Sequence, residues 1–470
     1  MISLNGRRIL IFGLAASGLA AAGFASDRGA KVFAWDDCFT ESGPDEALLQ
    51  KLQGCNARPV SPASLREDSY DLAVVSPGIP LDNPNLCQLR SRGLPCISEI
   101  EFAWMNTGAP IAAITGTNGK STTTVLAGRM LQASVATPEK VKIGGNLSAE
   151  GYDLPLISAV DQTTDDGWLV AEVSSFQLEL CFDFKPRAAA LLNVTEDHLD
   201  RHSTFQHYLD AKMRIFQAQN SDDFAILGLD CPAVRQAASR VAARKLWFSV
   251  NQQVDEGAYL KSGEYLLRVD GIETPFARVG QTALWTSFDR LNILAAACIA
   301  WSMGATIQGI SRACREFGGL PHRMEDCGEV NGVRWINNSM CTNPAAGIAA
   351  VEAVAEFWPV TVIAGGKQKD CDFSQWGRRV AEKARRLIVI GEDAPLLAEA
   401  AKAGGLQEIT HAPGLPEAMK LARSVASHGE AVALIPAMAS FGEFTNFKDR
   451  GQRFRQIVES FRKQEGGAEP

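Results

Sequence analysis

The residues best suited to chemistry in this chain are Gly116-Thr117-Asn118-Gly119-Lys120-Ser121-Thr122. They follow a short apolar run, Ile111 to Ile114, and precede a segment with helical periodicity, Thr122 to Leu131. A strand, a glycine loop and a helix N-terminus in that order aim backbone N–H groups at phosphate oxygens, and the helix dipole favours their charge. Lys120 can reach the outer phosphates and Ser121 can ligate Mg²⁺. A nucleoside triphosphate is the expected ligand. The spacing departs from the common phosphate loop, which has a glycine where this chain has Ile114, so the flanking elements carry the reading.

Further groups suit the same site. Glu172 closes the apolar run Trp168–Ala171, and His198 follows the run Ala188–Asn193. Strand ends of this kind are where α/β sheets place their ligands. A carboxylate and a serine hydroxyl are hard oxygen donors for Mg²⁺. Phosphoryl transfer needs positioning and charge neutralisation more than covalent help, and Lys120, Ser121, Glu172 and His198 offer both. His198 and His202 are four apart, but no Glu follows His198, so a zinc-protease helix is excluded. His202 and His207 are expected to pack or to be solvated. Lys212 falls in an amphipathic stretch, Leu209–Phe216, where spacing alone assigns it nothing.

The elements that must position these groups alternate along the chain. Arg8–Phe12, Lys31–Trp35, Leu72–Val75 and Pro95–Ile97 read as strands, with helices over Leu19–Asp27 and Pro44–Leu52. The turn Gly13-Leu14-Ala15-Ala16-Ser17-Gly18 is a dinucleotide fingerprint without its middle glycine. Asp36 and Asp37 end the second strand, and Ser76-Pro77-Gly78-Ile79-Pro80 ends another. Leu291–Met303 is an apolar helix, and Val360–Ala364, Arg386–Ile390 and Ala431–Ile435 restart the strand rhythm. The class is α/β with three domains: a Rossmann-like N-terminal domain (1–105), a phosphate-loop mononucleotide-binding central domain (106–319) and a Rossmann-like C-terminal domain (320–470). At 470 residues the chain is too long for one core. Its net charge of −8 offers no basic patch for nucleic acid. Eleven cysteines without a C-x-x-C pair fit a reduced, cytosolic chain. No apolar stretch reaches the 18 residues that mark a membrane span. No membrane partner and a monomer are expected.

These motifs together resemble the Mur ligases, ATP-dependent amide-forming enzymes of peptidoglycan synthesis, nearly end to end. The loop TGTNGKST is the general signature of that family and recurs in folate polyglutamate ligases. Glu172-Val173-Ser174-Ser175-Phe176-Gln177-Leu178-Glu179 is similar to the type that adds D-glutamate. Gly144-Gly145-Asn146, Asn193–Arg201 and Gly319-Leu320-Pro321-His322-Arg323 match as well. The resemblance implies a cytoplasmic ligase that joins D-glutamate to UDP-N-acetylmuramoyl-L-alanine through an acyl phosphate, using ATP and Mg²⁺. It implies that Ser17, Asp36, Asp37, Gly78 and Asn146 bind the UDP substrate. Gly116 to Thr122, with Asn292, Arg323 and Asn338, would hold ATP. Lys120, Glu172, His198, Lys212 and His322 would be catalytic. Ser121, Glu172, His198 and a carbamylated Lys212 would serve the metal, and Thr342, Lys369, Ser440 and Phe447 the amino acid.

The chain departs from the family in Asn337-Asn338-Ser339-Met340-Cys341-Thr342-Asn343, where an Asp at 338 and a Lys at 340 are usual. Met340 removes a cation beside a dicarboxylate site. Glu443 stands one residue after the family's usual acid at 442. Two explanations compete: drift in a chain that still adds D-glutamate, or the same chemistry with L-glutamate. A non-catalytic nucleotide-binding relative is the alternative from another class, but it should have lost Lys120, Glu172, His198 or Lys212, and all four are present. A nicotinamide dehydrogenase would leave Lys120 and Glu172 unexplained.

Overall fold

Apolar runs joined by crossovers long enough to hold a helix make most strand neighbours parallel. The computed structural model describes residues 2–39, 43–368, 371–440 and 442–466. Among these the strands form three sheets. The first contains β1 (Arg8–Phe12), β2 (Lys31–Trp35), β3 (Arg58–Pro59), β4 (Leu72–Val75) and β5 (Cys96–Ser98). All are parallel, in the order β3-β2-β1-β4-β5. The second contains β6 (Ile111–Thr115), β7 (Val141–Gly145), β8 (Trp168–Glu172), β9 (Ala188–Leu191), β10 (Phe224–Gly228), β11 (Arg244–Ser249), β12 (Gly257–Lys261), β13 (Glu264–Val269) and β14 (Ile272–Arg278). Its order is β14-β13-β12-β11-β10-β9-β6-β8-β7. The third contains β15 (Glu325–Val330), β16 (Val333–Asn337), β17 (Val360–Gly365), β18 (Ala384–Ile390), β19 (Ile409–His411) and β20 (Ala431–Leu434), in the order β15-β16-β20-β17-β18-β19.

The chain divides into two compact units, Met1–Gly318 and Gly319–Pro470. The first two sheets belong to the first unit and share a core. Ile9 and Phe24 fall in the same buried cluster as Ile111, Leu169 and Leu227. The helix Glu99–Met105 joins the two sheets, and besides the shared cluster the first sheet has one of its own, with Leu10, Phe12 and Phe33. Strands β6 and β9 are buried throughout, as central parallel strands covered by helices are. Strand β6 lies between β8 and β9. The order of strands reverses there, and ligands bind at such points beyond the strand C-termini.

The elements differ from the sequence reading mainly at their ends. The first helix starts at Ala16, inside the glycine turn, and the strand expected at Pro95–Ile97 is Cys96–Ser98. The antiparallel extension β12–β14 went unread, although its turns carry a sequence signal. Ser262-Gly263 and Asp270-Gly271 have φ of 51°, 77°, 52° and 76°, the paired left-handed conformation of tight hairpins.

Glu99 is buried where the two sheets meet, its Oε1 accepting the Ile157 N–H at 2.6 Å. Burial raises its carboxyl from 4.5 to about 7 against that hydrogen bond. The folded chain therefore holds a proton that the unfolded chain releases between those values. The stability so gained is complete below the unfolded value and is lost as pH rises through about 7. Glu99→Gln is expected to melt close to the parent at pH 5 and several degrees above it at pH 8, measured by calorimetry.

Candidate active site

The phosphate loop spans the gap between β6 and a helix that begins at Lys120, with Gly119 as its N-cap. Ser121 and Thr122 lie buried in the first helical turn. Asn193, just past β9, grips the loop from outside. Its Oδ1 accepts the Asn118 N–H at 2.9 Å, its Nδ2 donates to the Asn118 carbonyl at 3.1 Å, and its own carbonyl accepts the Thr117 N–H at 3.0 Å. The Thr117 hydroxyl accepts the Thr195 N–H at 3.1 Å and lies 3.3 Å from the Tyr208 hydroxyl. The loop is thus held in shape by its neighbours.

Two lysines converge on one carbonyl of this loop. Lys120 Nζ donates to Gly116 O at 3.1 Å and to Thr117 O at 2.9 Å. Lys212 Nζ donates to the same Gly116 O at 2.9 Å from the helix Phe205–Met213. Lys212 is 2% exposed and packs over the Tyr208 ring. Burial first, and the Lys120 charge second, push its ammonium down to about 6, against the pull of Asp197 and Glu172. At neutral pH it is therefore mostly a free amine.

Glu172 ends β8, the strand beside β6. Its Oε1 accepts from Asn146 Nδ2 at 3.2 Å, while its buried Oε2 has no hydrogen-bond partner. Gly145 lets this pairing form, because a Cβ there would lie 2.2 Å from the Glu172 carbonyl oxygen. A buried carboxylate oxygen without a donor is what a bound cation would satisfy. Asn146, assigned by resemblance to the UDP substrate, turns its amide to Glu172. His198 adopts φ 51° and lies edge-on to Phe176, with about half its side chain exposed. His202, four residues on, is buried and lies 3.0 Å from the Ser175 hydroxyl, so it packs. Among the described residues no three His, Cys, Asp or Glu side chains form a metal-binding group. A divalent cation would rest on Glu172, the Ser121 hydroxyl and the phosphate oxygens, with Lys212 joining only as a carbamate.

Beyond the loop opens a cavity of about 490 Å³ lined by Leu192, Asn193, Cys231, Phe248, Leu291 and Asn292. Its walls are mostly apolar, suited to the flat face of a base. Asn292 Oδ1 accepts from the Thr123 hydroxyl at 3.3 Å, and a Cβ on Gly119 would lie 2.3 Å from that oxygen. The amide therefore lies directly behind the loop.

In the first sheet, Ser17 sits in the opening turn of the helix after β1, and Gly78 is exposed in the turn after β4. Burial raises the Asp36 carboxyl, but the N–H groups of Leu14 and Cys38 outweigh it and hold it below the usual range. Asp36 thus braces the glycine turn through Oδ2, which accepts the Leu14 N–H at 2.7 Å, while its Oδ1 accepts the Cys38 N–H at 3.1 Å. Asp37 is exposed and accepts from Asn83 Nδ2 at 2.6 Å.

The second unit gathers its own set. His322 is buried with φ 63°. Asn337 Nδ2 lies 3.1 Å from His322 Nδ1 and donates to Glu325 Oε2 and the Gly451 carbonyl. Arg450, fully buried, donates to the Ser339 hydroxyl and carbonyl, each at 3.0 Å, to Gly365 O at 3.1 Å and to Met438 O at 3.3 Å. Burial lowers its guanidinium to about 10. Those contacts tie together the loops bearing Thr342 and Ser440. Ser339 Oγ also donates to the Phe447 carbonyl at 2.8 Å. Lys369 lies outside the described residues. Asn338 Oδ1 accepts the Met324 N–H at 3.2 Å. Arg323 Nη2 donates to Met340 Sδ at 3.0 Å. Glu443 accepts the Leu415 N–H at 3.1 Å, at the start of the helix Leu415–Val425, so this acid caps a helix. Asn193, Asn337 and Arg450 are the residues that sequence reasoning missed.

The Mur ligase middle domain matches residues 114–300 and the Mur ligase glutamate ligase domain residues 322–438. A UDP-N-acetylmuramoylalanine–D-glutamate ligase of Pelotomaculum thermopropionicum is 38% identical over 97% of this chain and 98% of its own length. The chain belongs to the Mur ligase family. The enzyme of the same name from Geobacter metallireducens is 39% identical over 97% of this chain and 98% of its own length. The MurF ligase of Thermotoga maritima, solved in complex with ADP, shares the fold at a TM-score of 0.59 and 16% identity, over 99% of this chain and 100% of that one. As in other Mur ligases, the activity expected of this chain depends on ATP.

Asn193→Ala removes two side-chain hydrogen bonds to the phosphate loop, each worth about 0.5–1.5 kcal/mol. Steady-state kinetics should show the KM for ATP rising roughly tenfold, with the fold intact by circular dichroism.

Proposed function

We propose that this Mur ligase is a cytoplasmic UDP-N-acetylmuramoyl-L-alanine:D-glutamate ligase. The unpartnered buried oxygen of Glu172, on the strand beside the phosphate loop, is the observation in this chain that most favours ATP-driven chemistry there. Identity of 38% and 39% to D-glutamate ligases, over 97% of this chain, supports the choice of amino acid.

A free carboxylate is a poor acyl donor because its leaving group would be oxide. The terminal carboxylate of UDP-N-acetylmuramoyl-L-alanine attacks the γ-phosphorus of ATP, the bridging P–O bond breaks, and ADP departs with that electron pair. The amine of glutamate then adds to the acyl carbon. The tetrahedral adduct collapses, phosphate leaves with the C–O electron pair, and the new amide nitrogen gives up a proton. Lys120 offsets the repulsion between carboxylate and triphosphate, the electrostatic effect expected to weigh most. Bound Mg²⁺ would screen the same charges. Glu172 and Ser121 are assigned to it, with His198 nearby. The neutral amine of Lys212 can add to CO₂, forming an N–C bond and releasing a proton. The resulting carbamate is an anion able to serve the metal.

Ser17, Asp37, Gly78 and Asn146 are proposed for the UDP substrate, with Asp36 bracing their turn. Asn292, Arg323 and Asn338 are proposed for ATP, and Thr342, Lys369, Ser440 and Phe447, with His322, for glutamate and the acyl group.

Purified protein given ATP, Mg²⁺, UDP-N-acetylmuramoyl-L-alanine and D-glutamate should release ADP and phosphate together, faster than with L-glutamate. Greater turnover with the L form overturns the amino-acid choice, and no ADP with either form overturns the reaction. Lys120→Ala should abolish ADP release while calorimetric binding of the UDP substrate persists. Lys212→Ala should lose at least 100-fold in kcat and regain part of it with added short carboxylates.

A further inference from the structure

Arg201 belongs to the segment after β9, yet its side chain reaches two distant elements. Its Nη2 donates to Glu179 Oε2 at 2.6 Å, and its Nε lies 3.4 Å from Glu179 Oε1. The same Nη2 donates to the Ile79 carbonyl at 2.9 Å. The guanidinium lies 5.0 Å from the centroid of the Phe176 ring, whose surroundings also include His198 and His202. The Arg201 and Glu179 side chains are 15% and 9% exposed, so water screens this pair little.

The two ends of this contact matter because of what they adjoin. Ile79 follows Gly78 in the exposed turn after β4. On the other side, the backbone N–H groups of Arg201 and His202 donate to the His198 carbonyl at 3.1 and 3.0 Å. His198 holds a left-handed φ that costs a non-glycine residue energy, so something must fix the turn that follows it. A planar guanidinium can grip a carboxylate and a carbonyl at once, which an ammonium does less well.

We propose that Arg201, held by Glu179, is a positioning residue that sets the Ser76–Pro80 turn against the His198 segment and so aligns the UDP substrate with the phosphoryl-transfer site. The inference rests on the function proposed above. Neither residue need touch a substrate. The phosphate loop and the cavity beside Asn292 have supports of their own in Asn193 and Tyr208, so ATP binding is expected to lean on the strut less than the UDP substrate does.

The test uses the full chain and its Arg201→Ala, Arg201→Lys and Glu179→Gln variants, with Arg278→Ala, at an exposed pair on the β13–β14 hairpin, as control. Steady-state kinetics should show the KM for UDP-N-acetylmuramoyl-L-alanine rising about tenfold in Arg201→Ala and less in Arg201→Lys, with kcat reduced and the KM for ATP within twofold of the parent. Calorimetric titration with the same UDP substrate should show the matching loss of affinity, and the control should behave as the parent. Equal rises in both KM values, or a lower melting temperature with neither KM changed, overturn the proposal. Arg201→Lys and Glu179→Gln preserve size and carry the test should Arg201→Ala not fold. If the parent makes no ADP, the proposed function fails, while the titrations still decide whether Arg201 sets the UDP-substrate site.

Discussion

The Gly116 carbonyl is the point on which the site depends. Two lysine nitrogens donate to it, one from the phosphate loop's own helix and one from the helix Phe205–Met213. One acceptor shared by two amines draws both side chains to the same point of the loop. Lys120 lies nearer solvent and is the natural cation of the pair. Lys212, buried against Tyr208, gives up its proton instead. The preorganised donors of the loop cost no rearrangement when ligand binds, which is how such sites stabilise developing charge.

The same economy recurs wherever a strand ends. Parallel sheets fix where their C-termini emerge but not the path of the loops beyond. Here one long polar side chain commonly takes over that task. Asn193 shapes the phosphate loop, Asn146 steers Glu172, and Arg450 gathers three loops of the second unit onto one buried guanidinium. Removing one partner of such a clamp leaves several buried carbonyls unpaired, which costs more than the hydrogen bonds alone contribute. These clamps belong to the binding machinery although they need not touch a ligand.

Much of this was legible in the sequence, and the reason is local. The phosphate loop and the strand-end Glu172 are contiguous signals, each read within about ten residues, and the hairpin dipeptides are a signal of the same local kind that went unread. Lys212 showed its place only by resemblance, because its partner carbonyl lies 96 positions away. Arg450 and Ser339 are separated by 111 positions and Arg201 and Ile79 by 122, so no spacing rule connects them. The cores mixed across residue 105 were hidden for the same reason. The strand and phosphate loop after residue 105 mark where the second sheet begins, while the cluster joining Phe24 to Leu169 forms only when the chain has folded.

The departures from the family pattern also read differently once they are placed. Position 340 suggested a lost cation beside a dicarboxylate. In the structure its thioether accepts from the Arg323 guanidinium. A lysine there could neither accept that hydrogen bond nor stand so close to a second cation without repulsion. The methionine therefore changes the setting of Arg323 as much as it subtracts a charge. The displaced acid at 443 is engaged with a helix N-terminus, where a carboxylate is favoured by the helix dipole. It is thereby committed to the fold rather than left to repel an incoming glutamate. Both substitutions thus have local physical roles, and neither requires the opposite hand of amino acid, in keeping with the D-glutamate ligases that this chain matches along nearly its whole length.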